Sequence, residues 1–212
     1  MRDAQRLLEI GLLGGHPALD FVNTLDWRGR GDGPGGAEEC LLSYAGLLAW
    51  MQRLRLATST EAQTVSAAAA TRPQKAQAML REAVALREAI HGLFAAAMAR
   101  RRPKPADLAR LNRWLGDQAP LRLEAKAGGY VWAEEKDGQH RLGLPLHRLA
   151  LQAAELLTSD KLERVRCCAG PGCGWLFLDT SPNRQRRWCS MEGCGNRAKA
   201  KRHYSRVSGR QK

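Results

Sequence analysis

Five of the chain's six cysteines, Cys167, Cys168, Cys173, Cys189 and Cys194, fall within 28 residues. Cys168 and Cys173 are separated by four residues, as are Cys189 and Cys194, and fifteen residues lie between the two pairs. Closely spaced cysteines let one tight turn present two thiolates to a tetrahedral ion. Gly170, Pro171, Gly172 and Gly174 supply such a turn for the first pair. The opening "MRDAQRLLEIGLLGGHP" is too short and charge-broken in its apolar run for a signal peptide. No stretch approaches the ~20 consecutive apolar residues of a membrane helix. The expectation is a cytoplasmic chain with no membrane partner, in which clustered thiols hold metal rather than form disulfides.

Four thiolates close a zinc shell and leave no open position, so the ion expected is one structural Zn2+ held by Cys168, Cys173, Cys189 and Cys194. Spacing alone leaves two alternatives open: Cys167 in place of Cys168, and an iron–sulfur cluster on the same thiolates. A module of about 45 residues buries too little surface to fold alone, and a metal worth ~10 kcal/mol or more supplies the difference. On that basis, losing a cysteine unfolds the module and spares the rest. The stretch "GWLFLDTSPNRQRRWC" reads as a hairpin, with Trp175 to Leu178 returning through Arg187 and Trp188 after a turn at Ser181-Pro182-Asn183. Cys194 is expected in the first turn of a last helix. Knuckle, hairpin and helix together give a treble-clef-like finger.

Charge follows the cysteines. From Arg166 onward there are eleven Lys/Arg against Asp179 and Glu192, so +9 of the net +13 lies in the last 47 residues. Such asymmetry points to a polyanion as the partner of the basic half. On a helix starting near Cys194, Lys199, Arg202 and Arg206 form one stripe, roughly 115° from the cysteine at 100° per residue. Asn196 and His203 flank it, Arg197 and Lys201 fall nearer the metal, and Arg184, Arg186 and Arg187 add a second basic cluster. Arg197 is read as bracing the finger rather than touching a ligand. These ten residues are the candidate nucleic-acid contacts, with phosphate binding better supported than base reading. Trp175 and Phe177 alternate with Leu176 and Leu178 like core residues of a strand, which favours duplex DNA over stacked single strands or RNA.

Upstream the pattern is mostly helical. A helix opens at Pro17 with Leu19, Val22 and Leu25 at helical spacing, and "RGRGDGPGG" breaks the chain as a loop. A second helix is expected over about Ser43 to Leu56. The longest starts near Pro73, with Met79, Ala83, Leu86, Ile90, Leu93 and Ala97 as its apolar stripe, and ends in "ARRRPKP". A short helix "PADLARLNRWLG", a hairpin "LRLEAKAGGYVWAEE" and a helix "LPLHRLALQAAELLTSD" with Leu146, Leu149, Ala150, Ala153 and Leu157 inward complete it. The fold class is α+β: a mainly helical domain with a small antiparallel sheet over residues 1–160, then the finger over 161–212. His16, Asp20 and Asn23 share one side of the first helix. Their local reading is that His16 caps the helix, Asp20 pairs with Arg28 or Arg30, and Asn23 faces water. No nucleophile, base and orienting group come together, so no catalytic residue and no enzyme is expected. His91, His140 and His147 are scattered among charged residues and are assigned no chemistry.

The stretch "RCCAGPGCGWLFLDTSPNRQRRWCSMEGCGNRAKAKRH" resembles the CGNR zinc finger, with Cys194-Gly195-Asn196-Arg197 as its namesake. "GGHPALDFVNTLDWR" resembles the opening of the ABATE domain, which precedes that finger in bacterial proteins regarded as stress-induced transcriptional regulators. The resemblance places the first metal ligand at Cys168. It implies DNA binding by the finger and a sensing role for the larger domain, with a small-molecule effector or a protein partner. It also raises His16, Asp20, Asn23 and Thr24 as ligand or interface residues. The competing expectation is a zinc-dependent module for protein or RNA. Analogy with regulators that read two half-sites suggests a homodimer.

Overall fold

A computed structural model describes residues 7, 9–31, 35–116, 121–126, 129–134 and 141–208. Pro17–Val22 forms the short helix α1, in which every residue from Ala18 to Val22 is buried. A six-residue helix that is apolar nearly all round has to lie inside a core. α1 packs on α4 (Pro73–Met98), α6 (Leu144–Thr158) and the finger strand β6 (Leu176–Leu178). Leu25, expected to continue α1, instead starts strand β1 (Leu25–Asp26), which pairs antiparallel with β2 (Glu38–Glu39). Of the glycine-rich loop, Arg28–Arg30 forms a 3-10 turn, and residues 32–34 lie outside the described residues.

α2 (Tyr44–Arg53) follows, its first turn capped by Ser43, whose Oγ accepts the Gly46 N–H at 3.0 Å. α3 (Ser59–Ala70) was not anticipated from the apolar pattern, because only Ala62 and Val65 are buried along it. Its signal is a capping box: Thr58 Oγ1 accepts the Glu61 N–H at 3.2 Å, and Glu61 accepts the Thr58 N–H at 2.8 Å. α4 buries Leu80, Ala83, Leu86, Ile90, Leu93 and Phe94, while Met79 and Ala97 sit only half-buried at its margins. α5 is Pro105–Leu115. The expected hairpin is β3 (Leu121–Lys126) against β4 (Gly129–Glu134), from Leu121↔Glu134 to Lys126↔Gly129. Along α6 the inward residue of the last turn is Leu156, 1% exposed, rather than Leu157, since helical phase from Ala153 falls on i+3.

A 3-10 turn, Asp160–Arg164, leads into β5 (Val165–Cys167). β6 pairs with β5, with Val165↔Leu178 and Cys167↔Leu176 in register. This corrects the expected hairpin. The strand Trp175–Leu178 turns back on the segment before the cysteine knuckle, not on Arg187–Trp188, because the knuckle itself is the reversal that joins the two strands. The finger ends in α7 (Asn196–Ser208). The fold is thus α+β: mostly helical, with three two-stranded antiparallel sheets among the described residues and a small finger at the C-terminal end. One contiguous core runs from α1, α2, α4 and α6 into Val165, Leu176, Phe177, Leu178 and the four finger cysteines. Among the described residues no helix is long and apolar enough to cross a membrane.

Candidate metal centre and nucleic-acid interface

The knuckle after β5 reverses at Gly170 to Gly174, where the Cys173 N–H donates to the Gly170 carbonyl at 3.0 Å. A side chain at Gly170 would place its Cβ 2.8 Å from Cys194 Sγ, so the turn closes tightly around the cysteine cluster. Gly174, at φ +71°, would bring a Cβ within 2.8 Å of the Gly29 nitrogen. Between them these turns bring Cys168 and Cys173 to one side. A π-type turn, Met191–Gly195, presents Cys194 just before α7 begins at Asn196. Cys194 is therefore in the turn that launches the helix rather than in its first α-turn, as had been expected.

Cys168, Cys173, Cys189 and Cys194 are all buried, and their sulfurs lie within 4.8 Å of one another. Cys173 and Cys189 are 3.8 Å apart and Cys189 and Cys194 3.6 Å. A tetrahedral zinc with Zn–S of about 2.3 Å requires sulfur separations near ~3.8 Å. The donor set fits one ion. A cluster that placed a separate iron under each thiolate would spread the sulfurs further. Cys168 Sγ also accepts the Gly170 N–H at 3.4 Å and the Cys189 N–H at 3.3 Å, and such donors favour thiolate. Cys167 is exposed and stands outside the cluster, which closes the alternative in favour of Cys168. The cofactor is one structural Zn2+. With four protein ligands it orders the finger and leaves no position for substrate.

Residues of the N-terminal part bond directly to the finger around this centre. Asn23 Nδ2 donates to the Leu176 carbonyl at 2.9 Å, and its Oδ1 accepts the Leu176 N–H at 2.8 Å. The Leu178 N–H donates to the Gly14 carbonyl at 2.8 Å. Arg197 donates to Cys194 Sγ at 2.9 Å, and its guanidinium lies 4.9 Å from the Trp27 ring centroid. Arg30 stacks on the same indole at 3.5 Å. Arg197 thus braces the finger, and it does so through a ligand sulfur, which it orients.

The candidate nucleic-acid residues divide into two groups. Asn196, Lys199, Lys201, Arg202 and His203 are exposed on α7, with no acidic residue among Asn196–Ser208. The Arg206 side chain lies outside the described residues. Lys201, Arg202 and Arg187 line one groove of about 470 Å3 with Trp188, Pro171 and Ser205. Arg186 belongs elsewhere: Nε donates to the Trp188 carbonyl at 3.0 Å, Nη2 donates to the Cys189 carbonyl, and the guanidinium covers Phe177 at 4.6 Å. It fastens the loop that delivers Cys189. Trp175 and Phe177 are buried, and Tyr204 is 71% exposed.

The four candidate ligand residues are all engaged within the fold. His16 Nδ1 caps α1 through the Ala18 N–H at 3.3 Å. Asp20 accepts the Gly14 N–H at 2.7 Å, while Arg28 pairs with Glu88 at 2.5 Å, so no Asp20–Arg28 pair forms. Asn23 is 1% exposed and bonded to the finger, not facing water. Thr24 Oγ1 donates to the Phe21 carbonyl at 2.8 Å and lies 3.3 Å from Arg87 Nη1. Arg87 itself, 1% exposed, makes a two-pronged pair with Glu39 at 2.6 and 2.7 Å. Sequence reasoning missed it, although a cation among Ala83, Leu86 and Ile90 on a buried helix face signals a buried partner. His147 Nδ1–H donates to the Trp114 carbonyl at 2.7 Å, and His140 lies outside the described residues.

Two family models match in order. Residues 15–160 match ABATE, described as "Putative stress-induced transcription regulator". The chain belongs to the ABATE family. Residues 164–207, which contain the four gathered cysteines, match the CGNR zinc finger. No curated protein matches the chain. The ABATE part thus supplies Asn23 and Trp27, with Gly14 just before it, against a CGNR finger that follows it directly.

Proposed function

We propose that the protein is a cytoplasmic transcriptional regulator that binds duplex DNA through its CGNR finger. The observation that carries this reading is α7: a helix launched from a four-thiolate centre, exposing Lys199, Lys201, Arg202 and His203 with no acid along it. Membership of a family described as transcription regulators supports the same reading. Cations on a metal-fixed element meet a phosphate backbone without losing order of their own. Arg184, Arg187 and Asn196 extend the contact surface, as does Arg206 by helical phase. Residues 1–160 form the sensing half and 161–212 the DNA-binding half. Because His16, Asp20, Asn23 and Thr24 are bonded within the fold, an effector or protein partner acts through the α1–finger junction they build. A homodimer reading two half-sites fits this role by analogy, and no catalytic role is assigned.

The test pairs metal content of protein purified without added metal with duplex titration at two salt concentrations. One zinc per chain, and steeply salt-dependent binding lost on chelation, is expected. Lys199→Ala and Arg202→Ala should keep zinc and fold, and each should flatten the salt dependence by about one ion. Zinc without DNA affinity overturns the DNA reading in favour of a protein partner. Preference for single strands or RNA over duplex would follow if Tyr204 and the half-buried Trp188 act as stacking platforms.

A further inference from the structure

We propose that a cleft at the junction of the ABATE part and the finger binds a phosphate of the DNA backbone through Arg100, Arg166 and Arg184. This rests on the duplex-DNA reading above. The cleft encloses about 850 Å3 and lies between the end of α4, with Met98 and Arg100, and the finger residues Arg166, Cys167 and Arg184. A water's share of liquid volume is about 30 Å3, so a hydrated phosphodiester has room. Glu163 is the one acid on its wall, and none of the three arginines forms an ion pair among the described residues. Arg166 Nη1 donates to the carbonyls of Glu163 at 2.6 Å and Val165 at 3.0 Å, which holds its guanidinium at the cleft wall. Asp179, buried behind the wall, offsets part of the Arg166 charge, and the excess of the three cations over these two acids favours an added anion. The C-terminal dipole of α4 offsets only about half a charge of that excess.

The backbone at two of the arginines offers a clean substitution. Arg100 sits where α4 closes, with φ +51°, its N–H donating to the Ala97 carbonyl at 3.0 Å and the Arg101 N–H to Ala96 at 2.9 Å. That pair of bonds is the closure in which glycine is the preferred residue. Arg184, also at φ +51°, ends a turn in which its N–H donates to the Ser181 carbonyl at 3.2 Å. Arg100 and Arg184 thus occupy positions where glycine is less strained, as does Arg55 at the end of α2 with φ +58°, so the charge and lining of the cleft carry the proposal and the φ values supply its test. Complementing the α4 dipole does not require Arg100, because Arg101 and Arg102 are exposed beside it.

The experiment compares wild type with Arg100→Gly, Arg184→Gly and the double variant, with Lys199→Ala/Arg202→Ala as reference. Melting temperature, zinc content and duplex affinity across a salt series are read for each. Both glycine variants should hold zinc and melt at or above the wild-type temperature. Each should weaken duplex binding about fivefold near 0.1 M salt, and the double variant, which gives up the cleft's one phosphate, should reduce the salt slope by about 0.9. Unchanged affinity in the glycine variants, with weakened binding in the α7 reference, overturns the cleft and leaves the DNA reading standing. A wild type that fails to bind duplex at any salt overturns both. Glycine variants that melt lower or lose zinc show the arginines to be structural, which also overturns the proposal.

Discussion

The carboxylate of Asp20 illustrates how much a single buried charge can bias this fold. Asp20 is 5% exposed, and burial pushes its carboxyl up from 3.8 to about 6, against the downward pull of the Gly14 N–H and Arg53. A raised carboxyl means that the folded chain keeps a proton which the unfolded chain has released. Stability from this group is therefore greatest at low pH and falls as pH rises from 3.8 to about 6. Asp20→Asn keeps the Oδ1 acceptor for Gly14 and removes the charge. The variant should be more stable than wild type at pH 7 by on the order of 2 kcal/mol, or roughly 5 °C in Tm. The difference should close at pH 4 and below. Thermal melts of both proteins from pH 4 to 8 check this, and parallel profiles would refute it.

At the scale of elements, the short helix α1 serves the finger as much as its own domain. β6 belongs to a two-stranded ribbon, so the N–H and C=O groups on its outer edge have no third strand to receive them. Asn23 satisfies both groups of Leu176, and Gly14 satisfies the Leu178 N–H, so the segment that leads into and out of α1 acts as a substitute strand. Asn23→Ala strands a buried donor and a buried acceptor, each costing about 1–3 kcal/mol. The expected loss in Tm is roughly 5–15 °C, with faster zinc transfer to a competing chelator. A Tm within 2 °C of wild type, taking that as about the effect of a surface change, would show that water replaces the amide at no cost. The sequence places Asn23 on the first helix facing water and does not reveal its partner, which lies 153 residues away. The same limit explains β6, whose apolar run was legible while its pairing with β5 was not.

For the whole molecule, the continuous core changes what metal loss should do. Spacing alone suggests a finger that unfolds by itself, but Leu176, Phe177 and Leu178 pack into the core that holds α1. Trp27 also stacks on the arginine that contacts Cys194. Zinc removal should therefore lower the melting of the helical part as well, in one transition and by more than about 10 °C. Calorimetry of the zinc-loaded and chelated protein tests this. Two transitions, with only the smaller one moved by chelation, would mean that the junction is energetically weak.

By itself the sequence determined the metal centre and the basic character of the finger. Thiolate chemistry needs four sulfurs at turn-sized spacing, and the net charge of the last 47 residues is a property of composition. Most helices were equally legible, since amphipathic period and caps are local. Tertiary structure decided which cations are free and which are fasteners. Arg186, Arg197 and Arg202 look alike along the chain, yet Arg186 holds loop carbonyls, Arg197 holds a sulfur and Arg202 faces solvent. It also turned Asn23 from a surface residue into a clamp and gathered Arg100, Arg166 and Arg184 around one cleft. The physical reason is the same in each case: a side chain's role depends on which distant backbone group packing leaves within its reach.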